Sequence, residues 1–181
     1  MKIIDCFNYF DEDLILEIRL ATLFDYVDKF IICEATLDHA GNEKKLNFDI
    51  KKFKRYEKKI KYIVVDDLPK EVKKFKKHWH TAHVRDQFQR NALVRGLSDC
   101  EPDDLIMISD VDEIPNLKDL NVAKVNNKIV IFEQEIFYYK LNRYLEGFTW
   151  HGTKACKKKN LKSPQWLRNI KNKKFGFWRL D

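Results

Sequence analysis

Leu105-Ile106-Met107-Ile108-Ser109-Asp110-Val111-Asp112-Glu113-Ile114-Pro115 is the stretch on which the reading of this chain turns. The apolar run Leu105 to Ile108 reads as a buried strand, and it leads into two carboxylates spaced i, i+2. In a strand two such side chains point to the same side. Past the strand's end the chain leaves the sheet, so Asp110 and Asp112 can converge on one hard cation, and Pro115 stops the segment. Such a cation takes oxygen ligands and keeps positions open for phosphate. As a Lewis acid it stabilises charge developing on a departing diphosphate. Taken alone the triplet is weak, because most short acidic pairs are solvated turn residues. The strand that runs into it adds weight, and the rest of the chain has to supply the remainder.

Upstream, strand and helix patterns alternate. Lys2 to Phe7 reads as a short buried strand. Asp11 or Asp13 is placed to cap a helix from about Leu14 to Tyr26, with Leu16, Leu20, Leu23 and Phe24 at helical spacing. Lys29 to Cys33 reads as a second strand with Glu34 at its end, and His39 to Asn42 as a loop. Phe48 to Glu57 reads as a lysine-rich helix and Ile60 to Val65 as a third strand ending at Asp66-Asp67. Trp79 to Leu97 reads as a long helix broken at Gly96, and Leu105 to Ser109 is the fourth strand. This alternation predicts an α/β fold with a mostly parallel sheet and helices on both faces. In such sheets ligands bind beyond the C-terminal strand ends, where Glu34, Asp66 and Asp110 all lie. After Pro115 the pattern changes to a mixed β part: Ile129 to Tyr139 reads as a strand or hairpin arm, followed by an aromatic stretch around Phe148, Trp150 and His151 and by Trp166, Phe175, Phe177 and Trp178. No internal repeat, linker or domain boundary interrupts the 181 residues, so one domain is expected.

Composition narrows the class. Hydrophobic residues make up 44%, close to the globular norm. No segment approaches the roughly 18 apolar residues that cross a bilayer, and the start of the chain has too short an apolar stretch for a signal peptide. Cys6, Cys33, Cys100 and Cys156 are scattered without a Cys-x-x-Cys pair, which argues for reduced thiols in a cytosol-like compartment. The net charge of +7 comes mostly from lysines clustered in 44–61, 71–77, 154–162 and 171–174. Interleaved with apolar residues at helix-like spacing, they read as a solvated surface rather than a nucleic-acid interface. A basic surface also suits an anionic nucleotide-sugar, or an acceptor on an anionic lipid or polymer, which leaves peripheral membrane contact open.

Several further side chains have chemistry to offer, each beside a plainer alternative. Arg85, Gln87, Arg90 and Asn91 precede the acidic strand on the long helix; arginines pair with phosphate oxygens in bidentate geometry, and Asn91 is able to hydrogen-bond a base or ribose. The alternative is an exposed helix face with ordinary i, i+4 pairs. His78, His80 and His83 invite a zinc reading, but on a helix His78 leaves the face that His80 and His83 share. Glu133 and Glu135 fall on one side of a strand, where either would serve as the carboxylate base that takes an acceptor hydroxyl proton, or simply face solvent. Trp150 and His151 suit a sugar-stacking platform, and Trp150 suits core packing equally.

The start of the chain, Asp5-Cys6-Phe7-Asn8-Tyr9-Phe10, then Glu12-Asp13-Leu14, Glu17-Ile18-Arg19-Leu20, Val27-Asp28, Phe30 and Glu34-Ala35, resembles glycosyltransferase family 17. The resemblance continues through Gly41, Lys45-Leu46, Arg85-Asp86-Gln87 and Arg90-Asn91 into Ser109 to Pro115. It implies a GT-A fold and a metal-dependent, inverting transfer of a sugar, typically N-acetylglucosamine from UDP-GlcNAc, to a glycan or glycoconjugate acceptor. Asp110 and Asp112 match the family's metal and diphosphate motif, with Mn²⁺ or Mg²⁺ as the ion. Asp112 and Glu135 are the residues expected to act in catalysis. Glu34, Arg85, Gln87, Arg90, Asn91 and Asp110 are expected to bind the donor. The resemblance implies a Golgi anchor in vertebrate members of the family, and none is expected in this chain, so a bacterial or viral glycan is the expected acceptor. Family members also continue past the Trp178 region into a segment with a histidine suited to the metal, and the chain is expected to lack it. A transferase fold that binds sugar or nucleotide without turnover is the second reading, and a basic nucleic-acid-binding protein the third.

Overall fold

The structure is a computed structural model that describes residues 1–38, 40–69, 78–121, 125, 128–140 and 142–171, with the side chains of 78–81 also outside the description. His39, the 71–77 lysine cluster and the aromatic residues Phe175, Phe177 and Trp178 lie outside the described residues, as do the side chains of His78 and His80.

Six strands form one sheet, in the spatial order 60–65, 29–35, 3–8, 105–109, 154–157 and 130–131. Strands β1 (Ile3–Asn8), β2 (Lys29–Ala35), β3 (Ile60–Val65) and β4 (Leu105–Ser109) run parallel. β8 (Lys154–Lys157) is antiparallel to β4, and β5 (Val130–Ile131) to β8. The central register pairs Cys6 with Ile31 on one side and with Ile108 on the other. Because side chains alternate across a strand, β1 and β4 each split their apolar residues between two cores. Ile3, Phe7, Leu105 and Met107 join helix α1 (Asp13–Leu23) through Leu16, Leu20 and Leu23. Ile4, Cys6, Ile106 and Ile108 join the opposite layer, made by α2 (His78–Ala92), a 3₁₀ segment Leu93–Leu97 and α3 (Pro164–Asn169). Helices therefore cover both faces of a mostly parallel sheet, as the alternation of patterns predicts. All four cysteines are buried and free.

Several local expectations need correction. Neither Asp11 nor Asp13 caps α1: the N-cap is Glu12, with no side-chain cap bond. Its carboxylate instead accepts from the Phe10 and Asp11 amides at 2.9 and 3.1 Å. The lysine-rich helix is a 3₁₀ segment, Ile50–Lys59, with Asp49 as its N-cap and a break in helical geometry at Phe53. The long helix ends at Ala92 and tightens into 3₁₀ before Gly96. The reason lies in the packing, since a Cβ on Gly96 would come within 2.5 Å of Ile31 Cγ2, so the chain presses its backbone onto the sheet there. The arm from Ile129 to Tyr139 divides into two strands in different sheets. β5 closes the main sheet, while β6 (Gln134–Phe137) pairs with β7 (Tyr144–Trp150) in a separate two-stranded hairpin. No helix among the described residues is long and apolar enough to cross a membrane.

Candidate active site

The acidic stretch leaves the sheet as a turn. After β4 ends at Ser109, the Glu113 amide donates to the Asp110 carbonyl at 3.1 Å. What holds this turn is a residue from α1. Arg19 occupies a position in the Leu16, Leu20, Leu23 stripe and is fully buried, as is Asp5 on β1. Arg19 donates to both Asp5 carboxylate oxygens, at 2.8 Å from Nε and 2.6 Å from Nη2. Its Nη1 donates to the carbonyls of Asp110, Val111 and Glu113 at 2.9–3.1 Å, and Nη2 reaches Ser109 Oγ at 2.5 Å. The guanidinium sits 4.5 Å from the Phe7 ring centre. Only a planar fork with five donors serves a carboxylate and a turn at once. The sole sign of this in the sequence is a charged residue at an apolar position of the helix.

A second network fixes the side chains of the turn. Glu113 is buried; its Oε2 accepts from the Asp110 amide at 2.8 Å, and its Oε1 accepts from Trp150 Nε1 at 2.7 Å and from Arg168 Nη2 at 2.6 Å. Gly152 makes room for this arrangement, because a Cβ there would lie 2.2 Å from the Glu113 carboxyl. Asp110 is flanked by two guanidinium groups, Arg90 at 3.0 Å and Arg168 at 2.7 Å, and keeps 41% side-chain exposure. Burial alone would pull the Arg168 pKa down, but Asp110 and Glu113 outweigh it and hold it above its usual value. Arg90 also grips Asp86, one turn back on α2, at 2.9 Å. Asp112 is exposed, with no side-chain hydrogen bond or ion pair among the described residues.

Asp86, Arg90, Asp110, Asp112, Glu113 and Trp150 face one cleft of about 1190 Å³ at the C-terminal edge of the parallel strands, roomy even for a small-molecule site. Of the residues expected from sequence, the cleft brings together Asp110, Asp112, Arg85, Arg90 and Glu135. Gly41, at φ +93°, packs directly on Arg85: a Cβ there would fall 2.5 Å from its Nη2. Three expected residues lie elsewhere. Glu34 is buried and spends its carboxylate on the fold, accepting from the Asn47 and Phe48 amides at 2.8 and 3.0 Å, from Tyr62 Oη at 2.8 Å, and from Lys44. It ties the 44–48 segment over β2 and β3, where Phe48 stacks on Tyr62 with ring centres 4.5 Å apart. Asn91 caps a neighbour instead, its Oδ1 accepting from the Gln165 amide at 3.0 Å. Gln87 does not line the cleft. Glu133 is exposed and lies 3.4 Å from His151, and His83 is exposed. Among the described residues no three His, Cys, Asp or Glu side chains converge as a metal cage.

Sequence reasoning passed over Arg19, Arg168 and the role of Glu113. Arg168 carries no local signal, because a six-residue helix far along the chain brings it to the turn.

Comparison with known proteins agrees with the resemblance read from the sequence. The family model described as glycosyltransferase family 17 matches residues 1–165. Over 157 residues the chain is 27% identical to the human protein named beta-1,4-mannosyl-glycoprotein 4-beta-N-acetylglucosaminyltransferase, an alignment that covers 82% of this chain and 28% of the human protein. The rat and mouse proteins of the same name are 27% and 26% identical, each over 82% of this chain and 27% of its own length. This chain thus spans just over a quarter of the length of these relatives. With the family model matched across most of its residues, the chain belongs to glycosyltransferase family 17.

Proposed function

We propose that this protein is a metal-dependent, inverting glycosyltransferase of GT-A-like fold that moves a sugar, N-acetylglucosamine by analogy with its relatives, from a UDP-sugar to a glycan acceptor. The observation that carries this reading is the turn Asp110–Glu113, clamped by Arg19 at the end of a central parallel strand and opening into a large cleft lined also by Arg85 and Arg90. The donor set suits a hard divalent ion: Asp112 is free of other partners, and Asp110, although paired with two arginines, keeps lone pairs on both oxygens. Asp110 and Asp112 would hold Mn²⁺ or Mg²⁺, which would supply charge stabilisation for the departing diphosphate. Arg85 and Arg90, which line the cleft, are positioned to add cationic donors to the phosphate oxygens, and Arg168 orients Asp110 from behind. Glu135, exposed at the cleft wall, is the candidate base that takes the acceptor hydroxyl proton as the acceptor oxygen bonds the anomeric carbon and UDP departs.

The test is a calorimetric titration of UDP and UDP-GlcNAc, with and without Mn²⁺, on the wild type and on Asp112→Ala. Metal-dependent binding lost in Asp112→Ala is the expected result. A folded wild type that binds neither nucleotide under any metal condition overturns the proposal and leaves a transferase fold without the transfer.

A further inference from the structure

Exposed apolar side chains are concentrated in one place on this molecule. Of the fourteen large apolar residues exposed among the described residues, seven lie between positions 137 and 150. Six of these are aromatic: Phe137, Tyr138, Tyr139, Tyr144, Phe148 and Trp150. They belong to the β6–β7 hairpin, whose second strand is exposed along its whole length. A two-stranded hairpin gains little stability by itself, and a contiguous exposed apolar patch marks a binding surface.

Two features of the hairpin set it up for a ligand. Tyr139 is 87% exposed yet holds φ at +62°, a left-handed backbone that a bulky residue rarely adopts; strain of this kind collects at functional sites. Trp150 has its ring orientation set by the bond from its indole N–H to Glu113, the same carboxylate that holds the Asp110 amide. The patch is also continuous with the cleft, since Phe137, Tyr139 and Trp150 line it together with Asp110 and Asp112.

The chemistry of the patch selects its occupant. Residues 133–150 carry Glu133, Glu135 and Glu146 against Lys140 and Arg143, a slightly acidic balance that suits an anionic lipid surface poorly. Flat rings tipped with hydroxyls, rather than aliphatic side chains, match a ligand that presents C–H faces and hydroxyls together. We propose that the β6–β7 hairpin is the acceptor subsite, in which sugar rings of a neutral oligosaccharide stack on Tyr139 and Trp150 and lead the acceptor hydroxyl to Glu135. The inference deepens the proposed function and rests on it.

The test uses β-1,4-linked mannose oligomers and β-1,4-linked N-acetylglucosamine oligomers as probes. Binding is followed by saturation-transfer NMR and tryptophan fluorescence, beside a UDP titration of the same samples. The expected result is saturable binding of at least one series, weakened about tenfold in Tyr139→Ala and little changed in Tyr139→Phe, which keeps the ring. Both variants should melt close to the wild type, because this ring is 87% exposed and meets the likewise exposed Tyr138. UDP binding without binding of either sugar series removes the subsite and leaves the proposed function standing. Sugar binding without UDP binding leaves a sugar-binding hairpin but removes the transferase reading, and with it the acceptor role. Sugar binding that Tyr139→Ala leaves intact overturns the proposal. So does a hairpin-dependent dimer in sedimentation, or binding to neutral vesicles, that Tyr139→Ala abolishes while no sugar binds.

Discussion

Replacing Arg19 by methionine tests how the acidic turn is held. The substitution keeps the length and apolar stem of the side chain but removes the guanidinium. Asp5 is then left as a buried carboxylate with no cation, and the carbonyls of Asp110, Val111 and Glu113 lose their shared donor. Removing one partner of a buried ion pair costs about 3–5 kcal/mol. For a chain of this size each kcal/mol moves the melting temperature by about 2–4 °C, so a fall of about 6–20 °C follows. The double variant Asp5→Asn/Arg19→Met deletes the uncompensated charge and should recover part of the loss, about 1–3 kcal/mol, while the turn still lacks its donor. Arg19→Lys keeps the charge, but three donors on one atom cannot serve the carboxylate and the turn together. It should fold with a smaller loss and bind UDP more weakly in the presence of Mn²⁺. Urea unfolding of the wild type, Asp5→Asn, Arg19→Met and the double variant gives the coupling between Asp5 and Arg19 directly. The argument is refuted if Arg19→Met unfolds at the wild-type midpoint, or if the double variant is no more stable than the single.

Three shorter predictions follow from the same geometry. Gly152→Ala would place a methyl 2.2 Å from the Glu113 carboxyl; it should displace Glu113 and Trp150 and lower UDP affinity about tenfold or more, and nucleotide binding equal to wild type would count against the network. Glu34→Gln should lower the urea midpoint, by about 2–4 kcal/mol in stability, because Lys44 and two amides lose a charged acceptor; unchanged stability with lost donor binding would return Glu34 to the binding site. Burial pulls the Lys154 ammonium down to about 8 from its ordinary 10.5. The folded state therefore releases that proton near pH 8 while the unfolded chain holds it to about 10.5, and this residue's contribution to stability rises with pH across the interval. Lys154→Met lacks that rise, so its stability difference from wild type should shift steadily in favour of the wild type from pH 7 to pH 10 in thermal melts, and a constant difference would refute the assignment.

The positions of the elements were legible wherever one local signal governed them. β3 and β4 fall on the predicted residues, β4 as a fully buried apolar run and β3 as a half-buried strand at the sheet edge, and the alternation with helices specified a mostly parallel sheet with both faces covered. Asp110 and Asp112 were legible for the same reason: a strand running into paired acids places them at the C-terminal edge of the sheet, where the cleft lies. Boundaries failed where tertiary contact overrode periodicity. The helix before β4 tightens because Gly96 must pass Ile31, and the arm after Ile129 splits because β5 finds β8 while β6 finds β7.

The sequence by itself determined the family, the layer order and the acidic pair, since all three depend on residue type and spacing along the chain. Only the tertiary structure decided who holds that pair in place. Asp5, Arg19, Glu113 and Arg168 meet across more than 160 residues of sequence, and no periodicity records such a meeting. It also decided what the Glu34 carboxylate touches, because a buried carboxylate takes the donors that packing brings to it, and those donors lie 10 to 28 residues away on the 44–48 segment and on β3.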